Sequence, residues 1–165
     1  MEINDENSLV SIIILNYNAG ELIEKCVDSI YQSNYKNYEI IVVDNNSKDN
    51  SHLKCKERFP GINLIENKEN LGYCEGNNVG IRKSKGKFII ILNPDTIVEP
   101  KWINELLSGY KKFGDGIYQP KFLTIDNKST IQSTGNMIQL FGFGYSRNKG
   151  DRDKNQFNNI EIINY

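Results

Sequence analysis

Apolar and polar positions alternate along the chain in blocks. Val10-Ser11-Ile12-Ile13-Ile14-Leu15 is nearly continuous and β-branched, the pattern of a strand covered on both faces. Asn16-Tyr17-Asn18-Ala19-Gly20 breaks it. Leu22, Ile23, Cys26, Val27 and Ile30 then recur at helical spacing, with Glu21, Glu24, Lys25 and Asp28 on the opposite side. A second strand is predicted over Glu39-Ile40-Ile41-Val42-Val43, ending at Asp44. The run Asn45-Asn46-Ser47-Lys48-Asp49 is dense in cap and turn residues, so a helix should begin between Ser47 and Asn50 and stop before Pro60-Gly61. Ile62-Asn63-Leu64-Ile65 reads as a short third strand. A helix through Asn77, Asn78 and Ile81 follows the loop Asn70-Leu71-Gly72 and ends at Gly86. Phe88-Ile89-Ile90-Ile91-Leu92 is a fourth strand, apolar throughout, closed by Asn93-Pro94-Asp95-Thr96. Pro100 suits a first helical position, and Trp102, Ile103, Leu106, Leu107 and Tyr110 mark an amphipathic helix beyond it.

Strands alternating with helices imply right-handed βαβ units and a mostly parallel central sheet flanked by helices, an α/β fold. On such sheets ligands bind at the carboxyl ends of the strands. Three polar clusters fall at those ends: Asn16-Tyr17-Asn18, Asp44-Asn45-Asn46 and Asn93-Pro94-Asp95. They are distant in sequence but should share one rim. After Gly114 the pattern changes. Ile117-Tyr118-Gln119-Pro120 and Phe122-Leu123-Thr124-Ile125 resemble short strands near a turn at Asp126-Asn127, and residues 137–145 are rich in glycine and aromatics. Residues 147–159 are almost wholly polar and predict a mobile stretch, and Ile160-Glu161-Ile162-Ile163 resembles one more strand. Residues 1–8 read as a flexible lead-in and 9–165 as one domain.

Composition narrows the chemistry. With a formal net charge of −1, there is no excess of positive charge to attract a nucleic-acid backbone. No apolar run approaches the roughly 20 residues that span a bilayer. The three cysteines, Cys26, Cys55 and Cys74, form no Cys-x-x-Cys pair and suit reduced thiols in a cytoplasmic protein. Cys26 falls on an apolar helix face, as core packing. His52 is the sole histidine, which excludes multi-histidine metal sites, and its polar neighbourhood predicts a solvated surface position.

A strand-end aspartate such as Asp95 offers the hard oxygen that Mg²⁺ or Mn²⁺ prefers, and such ions commonly bridge a carboxylate to substrate phosphates. It equally suits a turn or helix cap before Pro100, and spacing alone leaves the two readings even. Asp44 can accept hydrogen bonds from a ribose or base, or cap the turn at Ser47. Asn45 and Asn46 can bond a base edge or their own backbone, and Tyr17 can stack on a base or cover the sheet edge. A dinucleotide site would need Gly-x-Gly-x-x-Gly after the first strand, where this chain has only Gly20. No phosphate-cradling Gly-x-x-x-x-Gly-Lys-Ser/Thr follows any strand. Two alternatives are a nucleotidyltransferase, which should carry a basic, glycine-rich phosphate loop after its first strand that Asn16-Tyr17-Asn18-Ala19-Gly20 does not supply, and a non-catalytic nucleotide-binding module.

Several of these segments carry a resemblance. Residues 10–18, Asp28-Ser29-Ile30 with Gln32-Ser33, and Tyr38 through Ser47 resemble the start of family 2 glycosyltransferases. Asn70-Leu71-Gly72, Gly76-Asn77-Asn78-Val79-Gly80-Ile81 and Leu92-Asn93-Pro94-Asp95-Thr96 resemble its rhamnosyltransferase-like branch. The resemblance runs over residues 9–145 and implies a glycosyltransferase A-type, Rossmann-like fold that binds a nucleotide-diphosphate sugar, UDP- or dTDP-linked. It implies that Leu15, Asn16 and Tyr17 line the nucleoside pocket, that Asp44 and Asn45 contact base and ribose, and that Asn78 belongs to the donor site. Asn93-Pro94-Asp95 matches the Asp-x-Asp signature with asparagine for its first acid, so that Asp95 would ligate Mg²⁺ or Mn²⁺. Transfer by this family inverts the anomeric carbon and needs a carboxylate base. The resemblance places that base beyond Tyr165, so the chain is expected to be a donor-binding half. The acceptor would be a saccharide or a lipid-linked glycan, with polysaccharide biosynthesis at the cytoplasmic face of a membrane and peripheral association as the setting.

Overall fold

The computed structural model describes residues 7–138 and 144–162. The chain forms two compact units, Met1–Ile103 and Asn104–Tyr165.

The first unit is built on four parallel strands, β1 (Val10–Asn16), β2 (Tyr38–Asp44), β3 (Asn63–Glu66) and β4 (Phe88–Leu92), in the order β3-β2-β1-β4. Three helices connect them: α1 (Leu22–Tyr31), α2 (Ser51–Arg58) and α3 (Gly72–Lys83). α4 (Trp102–Phe113) starts in this unit, where the Trp102 indole N–H donates to Ser33 Oγ at 2.7 Å. The predicted alternation of strand and helix is thus present, with boundaries shifted by a few residues. α2 starts later than its cap-rich run suggests. Ser47 is consumed by Asp44, and Asn50 takes a left-handed conformation before the helix begins.

Strand parity divides the core. Ile13, Ile41 and Val43 face α3 and pack with Leu15, Ile65, Val79 and Ile81. Ile12, Ile14, Ile40 and Val42 have the opposite parity and are buried, as are Ile23, Cys26, Val27 and Ile30 of α1. Each such aliphatic side chain contributes about 1.5–3 kcal/mol on burial. α3 approaches the sheet closely because it carries glycine where it touches. A Cβ on Gly76 would lie 2.5 Å from Leu15 Cδ1, and one on Gly80 2.5 Å from Ile13 Cγ2. α3 packs chiefly on β1 and β2. Ile89 and Ile91, which share its face, are therefore nearly half exposed on an edge strand despite the continuous apolar run.

Gly86 does not end α3, which stops at Lys83 with Ser84 as its cap. It lies where the α3–β4 loop crosses β1, and a Cβ there would be 2.5 Å from Ser11 N and 2.8 Å from Leu9 O. Backbone cannot rotate aside, so Gly86→Ala should lower stability by about 1–3 kcal/mol, read from a urea midpoint. An unchanged midpoint would contradict this packing. Asn7 and Ser8, assigned by sequence to the lead-in, accept hydrogen bonds from Asn37 Nδ2 and Tyr35 Oη.

In the second unit β5 (Phe122–Leu123) pairs antiparallel with β6 (Ile131–Ser133), and β7 (Asn136–Ile138) with β8 (Gly144–Ser146). Ile117 to Pro120 form no strand, and Ile160 to Ile162 pair with none. Ile163 and residues 139–143 of the glycine-aromatic stretch lie outside the described residues. The polar stretch after Arg147, expected to be mobile, is tied down. Thr130 bridges Arg152, Gly150 N donates to Ile131 O at 2.9 Å, and Lys121 Nζ lies 2.7 Å from Asp153 Oδ2. Backbone groups and side chains from distant segments do this, which composition does not reveal.

Candidate functional site

The carboxyl ends of β1 and β2 are joined by a buried polar network. Register pairs Asn16 with Asp44. Asn16 Nδ2 donates to Asp44 Oδ1 at 2.8 Å, to Ser51 Oγ at 2.9 Å and to Ser47 Oγ at 3.1 Å. Asp44 Oδ1 also accepts from Ser47 Oγ at 2.6 Å, and Oδ2 accepts from Ser47 N at 2.8 Å. Two loops are thereby cross-linked: Asn18 N donates to Ser47 Oγ, Lys48 N to Asn18 Oδ1 and Gly20 N to Asp49 Oδ2. Asn18 and Asn46 hold left-handed conformations, which asparagine tolerates better than most residues. Burial pushes the Asp49 carboxyl up, but hydrogen bonds from Ser51 and Gly20 outweigh it and hold it below the usual carboxylate range.

Above this network lies a cavity of about 310 Å³, lined by Leu15, Tyr17, Asn45, Asn70, Gly72, Tyr73, Asn93 and Pro94. Two large rings, Tyr17 and Tyr73, stand more than half exposed there. Asn45 is buried between loops: Nδ2 donates to Asn70 Oδ1 at 3.0 Å and Gly72 O at 3.1 Å, and Oδ1 accepts from Asn67 Nδ2 at 2.9 Å. Such a cavity offers aromatic faces for a planar ring and amide groups for its edge.

Four of the residues singled out by sequence, Leu15, Tyr17, Asn45 and Asn93, thus meet around one cavity. Asn16 and Asp44 do not line it. Their parity turns them to the α2 side, and both are buried, so the turn-capping reading of Asp44 is realised. Asn78 is exposed on α3 and bonds Glu75 at 3.3 Å; its neighbour Asn77 is the buried one. Asp95 is exposed, adjoining the lining residue Pro94 in a turn closed by Thr96 N to Asn93 O at 3.2 Å. No group of three or more His, Cys, Asp or Glu side chains stands ready for a metal among the described residues. One exposed carboxylate beside a cavity suits Mg²⁺ or Mn²⁺ if a ligand's oxygens and water complete the shell. Tyr73 and Asn70 line the cavity without having been read individually as site residues. Their signal was the Asn-Leu-Gly-Tyr turn, whose tyrosine becomes significant only once α3 is docked.

His52 is not a solvated surface residue. It is buried in the first turn of α2, with Nδ1 3.2 Å from Asp44 Oδ1 and Nε2 3.5 Å from Glu66 Oε1. Despite that distance, Nδ1 makes no hydrogen bond. The turn faces the strand ends, which the polar local sequence conceals. Cys26 is core, as expected. Burial first, then Cys55 and Asp95, pushes its thiol up to about 12, which leaves it unreactive.

The model of the family described as "Glycosyl transferase family 2" matches residues 11–163. The chain belongs to that family. An uncharacterized glycosyltransferase of Haemophilus influenzae is 36% identical over 107 residues, covering 63% of this chain and 33% of that protein. The UDP-Glc:alpha-D-GlcNAc-diphosphoundecaprenol beta-1,3-glucosyltransferase WfgD of Escherichia coli is 33% identical over 93 residues, covering 56% of this chain and 37% of that protein. Among solved structures, the mannosyltransferase PcManGT of Pyrobaculum calidifontis, in complex with GDP-Man and Mn²⁺, superposes with a TM-score of 0.57 at 26% identity, covering 61% of this chain and 32% of that one. TarS 1-349 of S. aureus in complex with UDP-GlcNAc gives 0.58 at 17% identity, over 72% and 41% of the two chains, a likeness of fold. The fold is thus glycosyltransferase A-type, and the chain spans about a third of the length of the first curated relatives it matches.

Proposed function

We propose that the chain binds a nucleotide-diphosphate sugar in the cavity at the β1, β2 and β4 ends, for inverting transfer of the sugar to a hydroxyl acceptor. The carrying observation is the convergence of Tyr17, Tyr73, Asn45 and Asn93 on that cavity, with the Asp95 carboxylate beside it. In this reading the base lies against the tyrosine faces and the Leu15 side chain. Asn70 Nδ2 as a donor and the second lone pair of Asn45 Oδ1 as an acceptor suit the mixed edge of uracil or thymine, hence a UDP- or dTDP-sugar. Asn16 and Asp44 act from beneath by fixing the loop that carries Asn45. Asp95 would hold Mg²⁺ or Mn²⁺, which supplies positive charge for the leaving diphosphate.

Transfer forms a bond from the acceptor oxygen to the anomeric carbon, breaks the bond to the diphosphate and sends the hydroxyl proton to a base. Asp151, Asp153 and Glu161 are engaged by Asn148, Lys121 and Arg147, and we assign no base. The name of the Escherichia coli relative, with its diphosphoundecaprenol acceptor, supports a lipid-linked saccharide acceptor and a place in polysaccharide biosynthesis. No helix among the described residues is long and apolar enough to cross a membrane. In this reading contact with such an acceptor is peripheral, at the cytoplasmic face.

Calorimetry with UDP-, dTDP- and GDP-sugars, with and without Mn²⁺, tests the reading. Binding of a uridine or thymidine donor, strengthened by Mn²⁺, is the expected result. Failure to bind any nucleotide sugar would overturn it.

A further inference from the structure

We infer that Tyr73 is a phosphate-binding residue of the donor site, its hydroxyl passing from Asn93 to the donor diphosphate when the donor arrives. The inference rests on the proposed donor reading and adds to it a residue and an exchange.

A diphosphate brings negative charge into a cavity where, among the described residues, no lining side chain is cationic. A metal at Asp95 would offset part of that charge, and hydrogen-bond donors must supply the rest. The Asn45 amide is committed on both sides, to Asn70, Gly72 and Asn67. Tyr73 differs. Its ring stands 59% exposed at the first turn of α3, and its hydroxyl reaches across to the β4 end, where it donates to Asn93 Oδ1 at 3.4 Å. That bond is long, and its acceptor is a neutral amide two residues before Asp95. A carboxylate at position 93 would hold the hydroxyl firmly. The amide holds it loosely, at the place where diphosphate oxygens would sit beside Asp95. A hydrogen bond to an ionised oxygen is shorter and about twice as strong as one to a neutral acceptor, so the hydroxyl gains by moving from Asn93 to phosphate. Because the ring is exposed, the move needs no repacking of the core. The exchange also frees Asn93 from its bridge to α3.

The test compares uridine with UDP, both in Mn²⁺, on the whole chain and on Tyr73→Phe. Phenylalanine keeps the ring wall and removes only the hydroxyl. A bond to an ionised phosphate predicts roughly tenfold or greater loss of UDP affinity, with uridine affinity unchanged. The same Tyr73→Phe change is then made in an Asn93→Ala background, where its cost to UDP binding should persist. If that cost vanishes, Tyr73 acts only through Asn93 and the phosphate contact is overturned. Equal losses for uridine and UDP, or no loss for either, also overturn it. Those outcomes leave the donor reading standing provided the unaltered chain binds UDP, whereas absence of UDP binding by the unaltered chain removes both.

Discussion

Alanine at Asp44 should destabilise the first unit by about 3–5 kcal/mol, the largest stability effect expected of any rim substitution. Asp44 is 2% exposed, and three donors converge on its carboxylate: Asn16 Nδ2, Ser47 N and Ser47 Oγ. Truncation leaves Ser47 N and Oγ without this acceptor, while Asn16 Nδ2 keeps Ser47 and Ser51, and each buried, unpartnered donor costs about 1–3 kcal/mol. Asp44→Asn keeps the volume but turns an acceptor atom into a donor, so it should recover only part of the loss. Urea unfolding followed by the fluorescence of Trp102, which sits in the same unit, measures both variants. A loss below about 1 kcal/mol would show that the network is not held by Asp44. The same pair of variants separates two roles: a residue touching the base directly would lose affinity without losing stability.

Asp95→Ala should do the reverse. The residue is exposed, and its replacement should move stability by no more than about 0.5 kcal/mol. Donor binding in Mn²⁺ should fall by roughly a hundredfold or more, because a metal clamp on a diphosphate is worth several kcal/mol. What binding remains should no longer respond to chelation of the metal. Calorimetry and a melting curve on one preparation give both readings. Undiminished Mn²⁺-dependent binding by the variant would remove Asp95 from the metal site, and equal binding by the unaltered chain with and without Mn²⁺ would remove the metal.

These two aspartates show how far rim chemistry can be read from local sequence. Asp44 closes β2 and Asp95 follows β4 in its terminal turn, and both allow a capping or a ligand-binding role. The structure sends them different ways. Asp44 keeps the parity of Asn16 and enters the α2 side, while Asp95 lies one residue past Pro94 in an exposed turn. His52 lies within a run of polar residues and reads as surface, yet it packs against two strand ends. Tyr73 gives no helical or strand signal of its own. It lines the cavity because Gly76 and Gly80 let α3 settle on β1 and β2.

The order of strands and helices in the first unit followed from hydrophobic periodicity, which reports on burial residue by residue. So did the gathering of three polar clusters on one rim, because parallel connections bring strand ends to the same side. Which rim side chains enter the cavity was decided only by tertiary structure. That depends on strand register, on left-handed asparagines at positions 18 and 46, and on how closely a glycine-bearing helix can approach the sheet. Those are relations between segments far apart in the chain, and local composition carries no measure of them. The exposed edge of β4 has the same origin. An apolar strand is covered on both faces only where helices lie over it, and α3 packs chiefly over β1 and β2.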